Sequence, residues 1–418
     1  MSKRTIKGML DPYRVLDLAD MECLLCGKLL GDLGADVIKI ERPGGDVARR
    51  IGPFYHDEAD PEKSLFWFAF NTNKRGITLN IETTDGREIF KRLVKSADCV
   101  IESFPPGYLD KLGLGYEALE KLNQGIILVS ITPFGQSGPY RDYKGPDIVA
   151  WAMGGEMYLS GDSDLPPVRV SYHSQAYMHA AVEAAVGAMA ALYYRAINGE
   201  GQHVDVSVQE CVAQVSHQFS TMPWDTNRVI QTRAGGSPSS RVRVTRLWPC
   251  KDGYVIFSVS TGIHAKRNNQ PLFEWMESEG MADDFLRNID WDTFDFRTTT
   301  QETVDRLEEP IKKFFLLYTS AELLQWGVKH RVQVYPVSTT ADIIGNVQLA
   351  AREYWVELEH PELATTIKYP GVFAKASEVP LSITRRAPLV GEHNQDIYVG
   401  ELGFSSEELL ILKQANVI

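Results

Sequence analysis

The chain has 418 residues, more than one hydrophobic core ordinarily serves, so two domains are expected. Hydrophobic residues make up 44% of it and aromatic residues 10%, enough to fill buried cores, which excludes a globally disordered chain. A formal net charge of −12 argues against nucleic acid or an anionic membrane as partner, but leaves room for an anionic small molecule in a local basic pocket.

The first residues, "MSKRTIKGMLDPYRVLDL", lack an apolar run of signal-peptide length, and nowhere do about 18 apolar residues follow one another. A soluble cytoplasmic protein is therefore expected. "YRVLDL" (13–18) reads as a strand, then "LLCGKLLGDLGA" (24–35) as a helix and "DVIKIE" (36–41) as a second strand. Strand-like runs continue at "GITLNI" (76–81), "ADCVIES" (97–103) and "IILVSI" (126–131), with helical patterns at 84–96 and 115–122. The alternation predicts an α/β fold with a parallel sheet covered by helices on both faces. The longest helix is predicted over 175–197, where alanines and small apolar residues recur on most faces, as in a helix buried between layers or subunits. "GEGQ" (199–202) breaks it, and "HVDVSV" (203–208) alternates like a half-buried strand. "RAGGSPSSR" (233–241) reads as a polar, flexible loop and "GYVIFSVS" (253–260) as a strand. Ser405 and Glu408 have the spacing of a capping box for the last helix. The resulting division is a large domain over 1–220, a smaller α+β domain over 225–335, and a return to the large domain over 336–418.

Cys23, Cys26, Cys99, Cys211 and Cys250 form an odd set without the spacing of a disulfide scaffold, which suits a reducing compartment. Cys23 and Cys26 make a lone CxxC; with no second pair and no suitably spaced histidine, they read as small apolar side chains of a buried helix. The nine histidines are scattered and form no HExxH, so no metal site is indicated. No GxGxxG follows the first strand, so an ordinary dinucleotide site has no support. Basic and amide-bearing residues do gather at predicted strand ends, where open α/β sheets bind ligands. Arg42 follows "VIKIE", "NTNKRG" (71–76) leads into a strand, Lys111 follows "ESFPPGYLD", and Lys144 sits in "YRDYKGPD". Singly each is a solvated charge; together they suit a phosphate-rich ligand.

Several longer stretches carry a resemblance: "VLDL…GDLGADVIKIERPGGD", "FWFAFNTNKRGITLNI", "VIESFPPGYLDKLGLGYEAL", "ITPFGQSGPY", "NGEGQHVDVSVQE" and "APLVGEHNQDIYVGELGFSSEEL". By these the chain resembles the class III CoA-transferase family (CaiB/BaiF type) along most of its length, least between about 215 and 335. The resemblance implies a Rossmann-like large domain and a small domain, threaded with a second chain as an interlocked-ring dimer. It implies no permanently bound cofactor, a coenzyme A thioester as substrate, and neither nucleic acid nor membrane as partner. Carried over by motif, the CoA contacts fall on Arg42, Asn71, Thr72, Asn73, Lys74, Ser103, Phe104, Lys111 and Lys144, with Ser103 replacing an asparagine. Gly235 and Gly236 resemble a shortened form of the glycine loop that closes over the acyl group.

Family members place a nucleophilic aspartate at the start of the alanine-rich helix, where its carboxylate attacks the thioester and later carries CoA as an aspartyl thioester. Here that position is Ala176 or Tyr177, and "RVSYHSQAYMHAAV" (169–182) contains no acid in any register. A methyl cannot attack, and a phenol with an ordinary pKa near 10 would need strong activation. Asp147 is the outside candidate, and Glu183 lies two turns into the helix. The racemases of the same fold need a His–Asp pair; Pro146 and Ala176 or Tyr177 stand in those places, and His173 and His179 read as packing groups. The resemblance then implies a heteromer, a heterodimer or α2β2, in which a paralogous subunit carries the catalytic aspartate and this chain alone is inactive. The expected donor is succinyl-CoA and the expected acceptor (R)-benzylsuccinate, of anaerobic toluene degradation. The alternatives are a self-sufficient transferase or acyl-CoA racemase using Asp147, and a non-catalytic CoA-binding module.

Overall fold

The computed structural model describes residues 8–161, 165–171, 173–215 and 242–418. The chain divides into two compact units: the described residues of Met1–Gly155, Ser171–Val215 and Gln348–Ile418, and those of Glu156–Val170 and Ser216–Val347.

The first unit is built on six parallel strands: β1 (Arg14–Asp17), β2 (Asp36–Glu41), β3 (Lys74–Thr78), β4 (Cys99–Glu102), β5 (Ile127–Thr132) and β6 (His203–Ser207). Their order is β3-β2-β1-β4-β5-β6. The chain runs outward from β1 to β3, then crosses back to lay β4 on the other side of β1. That reversal opens a crevice beyond the carboxyl ends of β1 and β4, where doubly wound sheets hold ligands. Every residue of β5 and all but the first of β2 are buried, as befits a sheet covered on both faces. The strand expected at 76–81 is shifted to Lys74–Thr78, because Lys74 pairs with Val37 and hides its ammonium inside the unit.

The helices of this region are α1 (Leu24–Asp32), α2 (Leu65–Phe70), α3 (Thr84–Val94), α4 (Tyr108–Lys111), α5 (Tyr116–Glu120), α6 (Asp147–Met153), α7 (Glu156–Leu159, in the second unit), α8 (Gln175–Asn198) and α9 (Val208–Val215). α8 ends on Gly199, whose φ of 82° is left-handed backbone that glycine adopts without strain. Its alanines 176, 180, 181, 184, 185, 188 and 191 are buried and let α1, α6, α9 and β5 pack close to its axis. α8 has the length and apolar character of a membrane span, with a mean hydropathy of 1.2, but this alanine face belongs to the core of its unit. All five cysteines are buried and free. Burial pushes the Cys26 thiol well above its ordinary range, which makes it inert. Near the C-terminus, Ser405 and Glu408 form the expected capping box on helix Ser406–Gln414, with Ser405 N 2.7 Å from Glu408 Oε2.

In the second unit, β7 (Leu247–Cys250), β8 (Gly253–Ile256) and β9 (Tyr335–Pro336) form an antiparallel sheet. Helices Ala265–Ser278, Gln301–Phe315 and Ser320–His330 enclose a core around Trp248, Phe257, Phe314 and Phe315. Helix Gln301–Phe315 buries Val304, Leu307, Ile311 and Phe314, a spacing of three to four residues that puts one apolar stripe on its inner face.

Candidate active site

Charges on and next to β1, β2 and β3 are spent internally, with Lys74 at the amino end of β3 and Lys39 within β2. Lys74 is 0% exposed, and its three N–H groups go to Asp17 Oδ2 at 2.8 Å, Leu24 O at 2.8 Å and Asn71 Oδ1 at 3.0 Å. Burial lowers its pKa and Asp17 opposes the change. Gly27 of α1 makes room for the pair, since a Cβ there would lie 2.2 Å from Asp17 Oδ2. Lys39 bonds the Ala19 carbonyl and lies 3.1 Å from Asp46; burial opposes its charge, but Asp46, Asp17 and Glu41 together raise its pKa. Asn73, at a φ of 63°, donates to Asp32 Oδ1 and Ser382 O at 2.8 Å and accepts from Thr384 N at 2.9 Å. Asn71, Thr72, Asn73 and Lys74 are expected, by motif, to be ligand contacts. In the folded chain Asn71, Thr72 and Lys74 are enclosed, because a buried ammonium beside a buried carboxylate is held there by each other's charge.

Other expected contacts stand at the rim of the crevice. Arg42, the residue after β2, reaches Glu82 Oε1 at 3.0 Å, and the Tyr108 hydroxyl donates to the same oxygen at 2.8 Å. Ser103, just past β4, donates to Asp20 Oδ1 at 2.8 Å and accepts from Asp20 N at 2.9 Å, tying the ends of β1 and β4 together. Phe104 packs on Tyr108 with ring centroids 4.7 Å apart, and its backbone N–H donates to Glu102 Oε2 at 2.7 Å. Burial pushes the Glu102 carboxyl up to about 7 against the bonds from Ser130 and Phe104. Lys111 closes α4, and Lys144 lies in the loop after β5; both are exposed. Gly235 and Gly236 lie outside the described residues.

The start of α8 is the third part. Ala176 is 0% exposed, and its backbone N–H donates to Asp147 Oδ1 at 2.8 Å. A helix begins with amides that have no partner within it, and the Ser174 side chain makes no capping bond, so a carboxylate from α6 supplies the acceptor. Asp147 is 7% exposed. The Tyr177 hydroxyl donates to Gly145 O at 2.6 Å, pinning the loop that carries Lys144. His179, exposed on the next turn, stacks on Trp151 with centroids 5.9 Å apart, and Glu183 is exposed farther along. At the start of α8 the Ala176 methyl is therefore buried, the Tyr177 phenol is hydrogen-bonded, and the Asp147 carboxylate is engaged in capping. This remote cap is not legible in the sequence, since nothing in "KGPD" signals a bond to a helix 29 residues away. Glu82, too, carried no motif.

A family model for CoA-transferase family III matches residues 10–394. The chain is 35% identical over 401 residues, 95% of either chain, to subunit BbsE of succinyl-CoA:(R)-benzylsuccinate CoA-transferase from Thauera aromatica. It is 33% identical to formyl-CoA:oxalate CoA-transferase from Streptomyces avermitilis, over 98% of this chain and 99% of that one. It is 30% identical, over 97% of each chain, to the succinyl-CoA–L-malate CoA-transferase beta subunit from Chloroflexus aurantiacus. The crystal structure of a CAIB/BAIF family protein from Brucella suis matches with a TM-score of 0.81 at 27% identity, covering 94% of this chain and 99% of that one.

Proposed function

The chain belongs to CoA-transferase family III, and on that premise we propose that it is the subunit of a heteromeric CoA-transferase that lacks the nucleophile. A paralogous subunit supplies the aspartate. The observation that carries this reading is the start of α8, where Ala176 is enclosed, the Tyr177 hydroxyl is bound to Gly145, and Asp147 caps the helix. Asp147 Oδ1 is engaged by the Ala176 amide, so the carboxylate nearest this position already serves as a cap. An exposed apolar stripe along α8, Val182, Val186, Tyr193 and Ile197, offers a partner chain a surface on the same helix.

In the complex, the partner's carboxylate attacks the acyl carbonyl of succinyl-CoA and CoA leaves as the thiolate, giving a mixed anhydride. The thiolate then attacks the aspartyl carbonyl and releases succinate. The acceptor's carboxylate displaces CoA from the aspartyl thioester, and the thiolate finally attacks the acceptor's acyl carbonyl and frees the aspartate. This chain contributes the crevice at β1 and β4, the cations Arg42, Lys111 and Lys144 toward CoA, and part of the acyl pocket. The names of two subunit relatives favour succinyl-CoA as donor, and that of the 35% relative favours (R)-benzylsuccinate as acceptor.

The test is purification of the chain alone and together with a co-expressed paralogue that keeps an acid at this helix start. Product thioesters are read by liquid chromatography and acyl adducts by peptide mass spectrometry. Turnover is expected only from the pair, with the adduct on the paralogue. Turnover by the isolated chain, or an acyl adduct on it, overturns the reading.

A further inference from the structure

One group at the rim of the crevice works against an anionic ligand. Arg42 and Glu82 are joined at 3.0 Å, and both side chains are open to solvent, 65% and 49% exposed. Tyr108 donates to the Glu82 oxygen that Arg42 also holds, at 2.8 Å, and its ring rests on Phe104. One carboxylate thus takes a guanidinium and a phenol hydroxyl at once, the pair of donors a phosphate oxygen would use at this place. Glu82 follows β3, while Arg42 and Tyr108 come from the segments after β2 and β4. Three separate stretches of chain therefore converge on a single oxygen at the mouth of the crevice.

We propose that Glu82 is a built-in competitor for CoA: its carboxylate occupies Arg42 and Tyr108 in the empty subunit and must swing out before a CoA phosphate can enter. The proposal rests on the assignment of Arg42 to CoA made above. Glu82 is half exposed and free to turn, so displacement is cheap, yet its charge stays near the incoming phosphate and repels it. An exposed ion pair together with that repulsion weakens binding by about three- to tenfold.

The experiment is calorimetric titration of the full-length chain with CoA and with dephospho-CoA, comparing wild type, Glu82→Gln, Glu82→Lys, Arg42→Ala and the double variant Arg42→Ala/Glu82→Gln. Glu357→Gln, an exposed charge removed on the β-hairpin Trp355–Pro370, controls for net charge. Glu82→Gln is expected to tighten CoA binding about three- to tenfold. Glu82→Lys should tighten it further, Glu357→Gln should change nothing, and Arg42→Ala should abolish the gain. A gain with CoA alone assigns the 3′-phosphate to this rim, and a gain with both ligands assigns the diphosphate. If both Glu82 variants bind like wild type while Arg42→Ala weakens binding, the competitor is overturned and the CoA site stands. If CoA binds wild type and Arg42→Ala equally, the site assignment falls, and the competitor with it.

Discussion

Replacing Lys74 by methionine separates a framing lysine from a ligand-binding one. The change keeps the aliphatic stem but removes the ammonium from Asp17, which is itself 0% exposed. Asp17 would keep the bond from Ala19 N at 3.0 Å, while Leu24 O and Asn71 Oδ1 lose their donor. Stranding one member of a fully buried ion pair costs about 3–5 kcal/mol, a large share of the 5–15 kcal/mol or so that holds a typical domain together. With a urea slope of about 3 kcal/mol per molar, the unfolding midpoint falls by about 1–2 M. The assay is urea unfolding of wild type, Lys74→Met, Asp17→Leu and the double variant, followed by tryptophan fluorescence. The double variant is expected to lose less than the sum of the singles by at least about 2 kcal/mol, because it removes both charges. If Lys74→Met unfolds at the wild-type midpoint and only loses CoA, Lys74 serves the ligand and the framing argument is wrong.

Glu102 gives a pH signature: its folded pKa of about 7 lies above the ordinary carboxyl value of 4.5, so the folded chain keeps a proton that the unfolded chain has released. Stability from this group is therefore greatest below about pH 4.5 and declines by about 3 kcal/mol as the pH rises to 7, a slope that Glu102→Gln should remove in denaturation curves taken across that range. Asp147→Ala should cost about 1–2 kcal/mol through the lost cap on α8, lowering the melting temperature, while the assembled transferase keeps its acyl adduct on the partner; loss of that adduct would instead make Asp147 a reacting group. Tyr177→Asp, in complex with the paralogue and succinyl-CoA, should place a second acyl adduct on this chain, since residue 177 is half-buried and faces the Gly145 loop. Ala176→Asp should instead fail to fold, because that side chain points into the alanine core, and a soluble, acylated Ala176→Asp would show that the cap faces the other way.

Sequence periodicity located the sheet well because its strands are buried on both faces and read as unbroken apolar runs, as in "DVIKIE" and "IILVSI". It placed β3 two residues late, since Lys74 and Arg75 look like loop residues until their carboxylate partners, Asp17 and Asp36, are brought beside them by the fold. The capping box at Ser405 was legible because both partners lie within four residues. The cap on α8 was not, because its acceptor comes from another helix. The same limit applies to the rim: Arg42 was visible as a cation at a strand end, but Glu82 reaches it through the pairing of β3 with β2, and Tyr108 through the reversal of strand order that puts β4 beside β1. Local chemistry is written in short spacings, whereas compensation between charges is written in the topology.

That distinction bears on how a transferase subunit can give up its nucleophile. A residue in the first turn of a helix is costly to change when it satisfies that helix's amides, and cheap when something else does. Here Asp147 serves the amide of Ala176 from outside, so the side chains at 176 and 177 carry no share of the cap. An aspartate at position 177 could be exchanged without unravelling α8, and Tyr177 adds a tie to Gly145 that an aspartate is too short to make. The ends of β1 and β4 are held by other groups, the Asp17–Lys74 pair and the tie from Ser103 to Asp20. The scaffold and the attacking group are thus separable in this fold, and a pair of homologous subunits can divide them.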